Sequence, residues 1–213
     1  MLFRAMVLMV AMDTRHSTPL SPFSEIAPRT FETSRLRLRA ASLGDLQLVF
    51  DIYAGDPVAT RYMAWPRAET PESARSFWEL VDASFRGHPT GGVEFVWLIQ
   101  LKETGAYIGS CGIGRHSDRG LAGGYILNPA FWGKGYAAEA WAPVVTWAKT
   151  QAAVERIEAT HHPDNPASGA VLRKVGLSLE ETARQGGRYP NVSGGAPVDE
   201  VVYAWVRGKD ELA

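Results

Sequence analysis

No part of the chain limits its fold more than Gly124-Tyr125-Ile126-Leu127-Asn128-Pro129-Ala130-Phe131-Trp132-Gly133-Lys134-Gly135-Tyr136-Ala137-Ala138-Glu139-Ala140. It reads as a strand, a tight turn and the first turn of a helix. Tyr125 to Leu127 suit a buried strand, and Pro129 ends it because proline cannot donate to a ladder. Gly133 and Gly135 lack Cβ atoms where the backbone must turn sharply or admit a ligand. The helix that follows begins with unpaired N–H groups and a partial positive charge, a combination that binds phosphate. Lys134 adds a full cation at the mouth. The stretch is therefore the expected anchor for a pyrophosphate-bearing cofactor.

Two readings of this turn compete. Gly133-x-Gly135-x-x-Ala138 satisfies the dinucleotide pattern, and Glu155 and Glu158 follow about 20 residues on. Glu158, however, falls inside a candidate strand rather than at its end, where a ribose-binding carboxylate belongs. Asn128 to Trp132 also separate the strand from the first glycine, whereas a dinucleotide fingerprint turns almost at once. The plainest reading is a strand–helix connection whose glycines only relieve sterics.

The wider pattern Tyr125-x-Leu127-x-Pro129-x-x-Trp132-Gly133-Lys134-Gly135-Tyr136-Ala137-x-Glu139-Ala140 closely resembles the acetyl-CoA-binding segment of the GNAT superfamily of N-acetyltransferases. Its Trp-Gly-Lys-Gly-Tyr-Ala wording is similar to the RimJ/RimL-like branch. A second family landmark follows as His162-Pro163-Asp164-Asn165-x-x-Ser168-x-x-x-Leu172-x-Lys174-x-Gly176-Leu177. The resemblance covers residues 31–207. It implies an α/β (α+β) fold with a mixed, mostly antiparallel central sheet flanked by helices and a splayed parallel strand pair at the cofactor site. It also implies acetyl transfer from acetyl-CoA to an amine, by direct attack in a ternary complex. The acceptor would be a protein N-terminus or a small-molecule amine. A catalytically silent acyl-CoA-binding module is the alternative.

Residue by residue, the resemblance assigns the phosphates to the turn of Trp132, Gly133, Lys134, Gly135, Tyr136, Ala137 and Ala138. The region of Ile126 and Leu127 would offer main-chain groups to the pantetheine chain, with one N–H as oxyanion donor. Asn165 would bind the pantetheine arm, and Ser168 is the candidate general acid. On the plainer reading, Asn165 caps a helix and Ser168 is its first-turn polar residue. Leu172 stands where many members carry a tyrosine acid, and Ala122 stands where a glutamate often occurs. Glu94, His161, His162 and Asp199 are the candidates for the base, with water as a further route.

Composition narrows the remaining classes. A chain of 213 residues, 46% hydrophobic and 21% charged, fits a globular protein with a proper core. A net charge of −1 argues against a nucleic-acid binder. The single cysteine, Cys111, excludes a disulfide framework and a multi-cysteine metal site, and its apolar setting reads as an inert buried thiol. Residues 1–28 read as a flexible extension ahead of one domain over 29–213. The apolar run Ala5 to Met12 is too short to span a bilayer. A cytoplasmic monomer or homodimer, with no membrane partner, is the expectation.

Along the rest of the chain, Arg35-Leu36-Arg37-Leu38-Arg39 alternates as an edge strand with a solvated basic face. Ser42-x-x-Asp45 opens a helix carrying Leu43, Leu46, Val49, Phe50 and Tyr53, and residues 58–63 allow a further helical turn. Thr70-Pro71-Glu72 starts another, running to about Phe85. Trp65, Phe77, Trp78 and Phe85 are candidates for shaping an acceptor cleft. Strands are expected over 94–101 and 106–114, with residues 115–123 as a loop. Trp141, Val145 and Ala148 share a helix face, with Pro143 expected to kink that helix. Residues 154–160 form the next strand, a helix runs from 165 or 166 to about 175, and strands over 177–182 and 200–206 flank a long glycine-rich loop, 185–197.

Overall fold

The computed structural model describes residues 27–87, 93–117 and 119–209. The expected extension over 1–28 therefore lies almost wholly outside the described residues. Pro28 is described, and its carbonyl accepts from Trp97 Nε1 at 2.8 Å. The strands are β1 (Thr30–Glu32), β2 (Leu36–Ala40), β3 (Glu94–Leu101), β4 (Tyr107–Arg115), β5 (Gly120–Leu127), β6 (Arg156–His161), β7 (Ser178–Arg188) and β8 (Pro197–Val206). They form one sheet in the order β1-β2-β3-β4-β5-β6-β8-β7. Every pairing is antiparallel except that of β5 with β6.

The parallel pair opens along its length. Gly120 to Ala122 pair with Arg156 to Glu158, and the register stops there although β5 runs on to Leu127 and β6 to His161. The far half of β5 thus keeps β4 on one edge and a gap on the other. Asn128 N–H donates to Ile108 O across the β4 edge. Because main-chain groups alternate sides along a strand, Ile126 also points at β4, while Tyr125 and Leu127 point into the gap.

Helices cover both faces. On one, α3 (Tyr136–Thr150) and α4 (Pro166–Lys174) bury Trp141, Val144, Val145, Ala148 and Leu172 against Trp97, Ile99, Ile113 and Ile157. On the other, α1 (Leu46–Val49) and α2 (Arg75–Phe85) bury Val49, Trp78 and Val81 against Val96, Leu98 and Ile126. The Ser42–Asp45 capping box opens the first of these as a 3-10 turn. That helix ends as a π-turn, Phe50–Ala54, and the extra residue turns Tyr53 and the Ile52 carbonyl toward the sheet.

Several expected boundaries move. Residues 115–123 are not a loop throughout, because β5 begins at Gly120, where its glycines and Ala122 fit closely over β4. Residues 58–63 form hydrogen-bonded turns, with Thr60 N–H donating to Asp56 O and Met63 N–H to Thr60 O, short of a helix of their own. The long loop over 185–197 is shortened at both ends: Gly187 and Arg188 pair with Val198 and Pro197, leaving residues 189–196 as a connection that holds the short α5 (Pro190–Ser193). β1 was not expected as a separate strand. Pro143 lies inside α3, which runs unbroken from Tyr136 to Thr150. Cys111 is buried, and burial pushes its thiol well above the usual range. Among the described residues no helix is long and apolar enough to cross a membrane.

Candidate active site

The glycine turn sits where β5 leaves the sheet. Gly133 and Gly135 have φ of +75° and +79°, the left-handed region that disfavours a side chain, and no atom lies within 4 Å of where a Gly133 Cβ would stand. Among the described residues, no amide N–H from Gly133 to Ala138 has a hydrogen-bond acceptor in the protein, which leaves this cradle free for an anion. Trp132 is half exposed and donates its indole N–H to Leu127 O at 2.9 Å. Lys134 Nζ lies 5.4 Å from the Phe131 ring centre.

Glu139 is an acid in the first turn of the same helix, where it would compete with a bound phosphate. It is fully engaged. Thr33 Oγ1, Ser34 Oγ, Arg35 N–H and Arg35 Nε all donate to its carboxylate, at 2.6–3.1 Å. Partial burial pushes its pKa up, but these bonds outweigh burial and hold it below the usual range. The Arg35 guanidinium also stacks on Tyr136, 4.4 Å from the ring centre, and lies 3.6 Å from where a Gly135 Cβ would be.

Two cavities meet at the open end of the parallel pair. The larger, about 340 Å³, runs along Leu127, Trp132, Gly133, Ala167 and Val171. The smaller, about 110 Å³, lies over Val96, Ser110, Gly112 and Gly124, with Thr160 and Tyr189 opposite. Tyr62, Met63, Tyr125, Ile126, Asn165 and Ser168 border both. At this junction Tyr125 donates its phenol O–H to Ser168 Oγ at 3.0 Å. Burial pushes the Tyr125 phenol up to about 12, so it holds its proton at neutral pH.

Of the residues expected from sequence, Ile126, Asn165 and Ser168 border the junction and Leu127, Trp132 and Gly133 line the larger cavity, whereas Lys134, Gly135, Tyr136, Ala137 and Ala138 line neither. Asn165 stands at the N-terminus of α4, yet its side chain makes no capping bond, so its amide is free to face the junction. Ile126 contributes its side chain to both cavities, while the main chain turned into the gap belongs to Tyr125 and Leu127. Leu172 carries no phenol, and Tyr125 brings one to Ser168 from β5 rather than from α4. Sequence reading places Tyr125 only as a strand residue.

The base candidates divide. His161 borders the smaller cavity, and its Nδ1 contacts His162 O at 2.8 Å. His162 packs between Tyr62 and Tyr189, with ring centres 5.1 and 4.9 Å away. Glu94 borders neither cavity; its Oε2 is enclosed against Gly114 without a partner, and burial pushes the carboxyl up to about 8. Asp199 is exposed and accepts from Gln185 N–H, apart from the junction. Glu200 was not foreseen. It lies beside Tyr189 and Thr160, and burial raises its carboxyl above the ordinary range, an effect the Thr160 hydroxyl partly opposes. Of the four aromatics expected to shape a cleft, Trp65 lines the smaller cavity, Phe77 and Trp78 are core, and Phe85 packs against Phe95 and Trp97.

The architecture is of the mixed α/β class, one parting parallel strand pair followed by a glycine turn and a helix. Residues 35–178 match the acetyltransferase (GNAT) domain model. The chain is 32% identical to the uncharacterized N-acetyltransferase YoaA of Bacillus subtilis (strain 168) over 183 residues, 84% of this chain and 97% of that protein. It is also 32% identical to the uncharacterized N-acetyltransferase p20 of Bacillus licheniformis over 158 residues, 73% and 85% of the two chains. Among solved structures, the fold is similar to RimL, the ribosomal L7/L12 alpha-N-protein acetyltransferase in complex with coenzyme A (TM-score 0.68, 20% identity, 82% and 95% of the two chains). It is similar also to the microcin C7 self-immunity acetyltransferase MccE in complex with acetyl-CoA and AMP (TM-score 0.69, 18% identity, 84% and 97%).

The chain belongs to the GNAT acetyltransferase family and, with it, to the acetyl-CoA-dependent N-acetyltransferases.

Proposed function

We propose that acetyl transfer takes place at the junction of the two cavities, with acetyl-CoA along the larger and the acceptor amine in the smaller. The observation that carries this reading is the Tyr125–Ser168 hydrogen bond, set beside the unpaired half of β5 where both cavities open. The free amides from Gly133 to Ala138 would hold the diphosphate, with Lys134 as an added cation. Asn165 would bind the pantetheine arm. The N–H of Leu127, turned into the gap, would stabilise the carbonyl oxygen as it gains charge.

Attack by the amine forms a C–N bond as the C–S bond breaks, and the leaving thiolate takes a proton from Ser168. Tyr125 then resupplies Ser168 and is itself reprotonated from solvent at the open junction. The proton lost by the amine passes toward Thr160 and Tyr189, behind which Glu200 is the nearby carboxylate. Similarity to RimL, a ribosomal L7/L12 alpha-N-protein acetyltransferase, favours a protein N-terminus, and similarity to MccE, solved with AMP, favours a small molecule. The test is thiol release from acetyl-CoA against a panel of amines. Amine-dependent release supports transfer. Stabilisation by acetyl-CoA with no release on any amine at any pH would reduce the chain to a binding module.

A further inference from the structure

We propose that the smaller cavity accepts a compact primary amine carrying no acidic group, and that Asn191 limits the acceptor's size. The proposal rests on the acetyl-transfer reading above and specifies its acceptor.

Size is the first argument. The larger cavity, about 340 Å³, falls within the range of ordinary ligand sites, whereas the smaller is about 110 Å³. Its inner space is about a third of the larger cavity's, which suits a short amine better than several peptide residues.

The second argument is how the walls are joined. Asn191, in the connection between β7 and β8, donates from Nδ2 to Thr60 O at 2.8 Å and to Trp65 O at 2.9 Å. Its Oδ1 accepts from Arg67 N–H at 2.9 Å. One side chain therefore ties the 60–67 segment, which brings Tyr62 and Trp65 to the cavity, to the connection that follows Tyr189. The stack Tyr62–His162–Tyr189 closes the same seam from within. An extended peptide lying across the site would have to part these walls. A compact amine would not.

Charge gives the third argument. Among the described residues no Lys or Arg lines the smaller cavity. A carboxylate or phosphate on the acceptor would meet no Lys or Arg there, and burying its charge against neutral hydroxyls is costly. An ammonium, by contrast, would lie among the rings of Trp65 and Tyr189; the Tyr62 ring already has the Arg61 guanidinium over it, 5.2 Å from its centre. Glu200 lies just behind: a Cβ on Gly187 would stand 2.6 Å from Tyr189 Cε2 and 3.1 Å from Glu200 Oε2. Ser110, held by Tyr53 through a 2.7 Å hydroxyl contact, and Thr160 supply the neutral polar groups.

The test uses the full chain and saturating acetyl-CoA. Thiol release is followed with short aliphatic and arylalkyl monoamines, the corresponding α-amino acids, and tetrapeptides with free N-termini. Monoamines should exceed both other classes in kcat/KM by about ten-fold or more, and Asn191→Ala, shown folded by its thermal transition, should narrow the gap to the tetrapeptides by at least about three-fold. Preference for peptides or amino acids would overturn the proposal while leaving acetyl transfer intact. An unchanged ratio in folded Asn191→Ala would overturn the role of Asn191. Release with none of the three classes, despite stabilisation by acetyl-CoA, would overturn the transfer reading itself.

Discussion

Arg35 Nε donates to Glu139 Oε2 at 2.6 Å, joining the start of β2 to the first turn of α3 across 104 residues of chain. The contact explains how a helix meant to face a diphosphate can carry an acid in its first turn. With its charge matched by a guanidinium, Glu139 anchors the helix without opposing an anion at its N-terminus. The same guanidinium lies beside the glycine turn and over Tyr136, so the pair also fixes the angle at which the free amides present themselves.

Arg35→Met should weaken acetyl-CoA binding by about ten-fold, because an unmatched Glu139 would then face the diphosphate. Arg35→Met combined with Glu139→Gln should recover most of that loss. Titration calorimetry on the single and double variants reads the coupling directly. Equal affinities in all of them would confine the pair to packing.

Gly135→Ala should cost about 1–2 kcal/mol in stability, because a Cβ is disfavoured at φ near +79°. It should also lower acetyl-CoA affinity by more than about ten-fold, through lost close approach to the backbone. Gly208→Ala is the matched control: Gly208 has the same φ, with open space where its Cβ would stand. It should show a similar loss of thermal stability and unaltered affinity. If both variants bind acetyl-CoA like the parent, the glycine turn is not the phosphate cradle.

Tyr125→Phe and Ser168→Ala should each lower kcat by about ten- to a hundred-fold, with much less effect on acetyl-CoA affinity, and the double variant should be little worse than either. Since the Tyr125 phenol titrates at about 12, the parent should show no alkaline limb from it below pH 10. Losses that multiply in the double variant would mean that the two hydroxyls do not act in series.

How far the sequence reveals this site depends on the kind of signal each part leaves. The glycine turn, the β5 strand and the α4 landmark are local patterns, and their residues arrive where their spacing suggests. Arg35 read as a solvated basic face because its partner lies far along the chain. Tyr62, Tyr189, Asn191 and Glu200 sit in turns and a hairpin brought to the cavity only by sheet order, which no short window of sequence encodes. The 185–197 segment read as a loop because glycine and proline obscure the pairing of Gly187 and Arg188 with β8. Asn165 shows the opposite case: it occupies the expected capping position without making the cap, and only side-chain geometry reveals its free amide.

Glu94 predicts a pH effect on stability. Its folded-state value of about 8 exceeds the ordinary 4.5 because its carboxyl is buried. Between those values the folded chain holds a proton that the unfolded chain has released, so this contribution to stability is intact below about pH 4.5 and is lost as pH rises toward 8. Glu94→Gln should remove that decline and make the protein more stable at pH 9 by roughly 2 kcal/mol or more. Urea unfolding at pH 5 and pH 9 measures it. An identical pH slope in the variant would mean that Glu94 is ionised at little cost in the folded state.

The most direct measurement is a crystal structure of the chain with coenzyme A. The diphosphate should lie within hydrogen-bond distance of the amides between Gly133 and Ala138, with the sulfur at the junction near Ser168 and Tyr125. Coenzyme A bound elsewhere, or a diphosphate that touches none of those amides, would contradict the account.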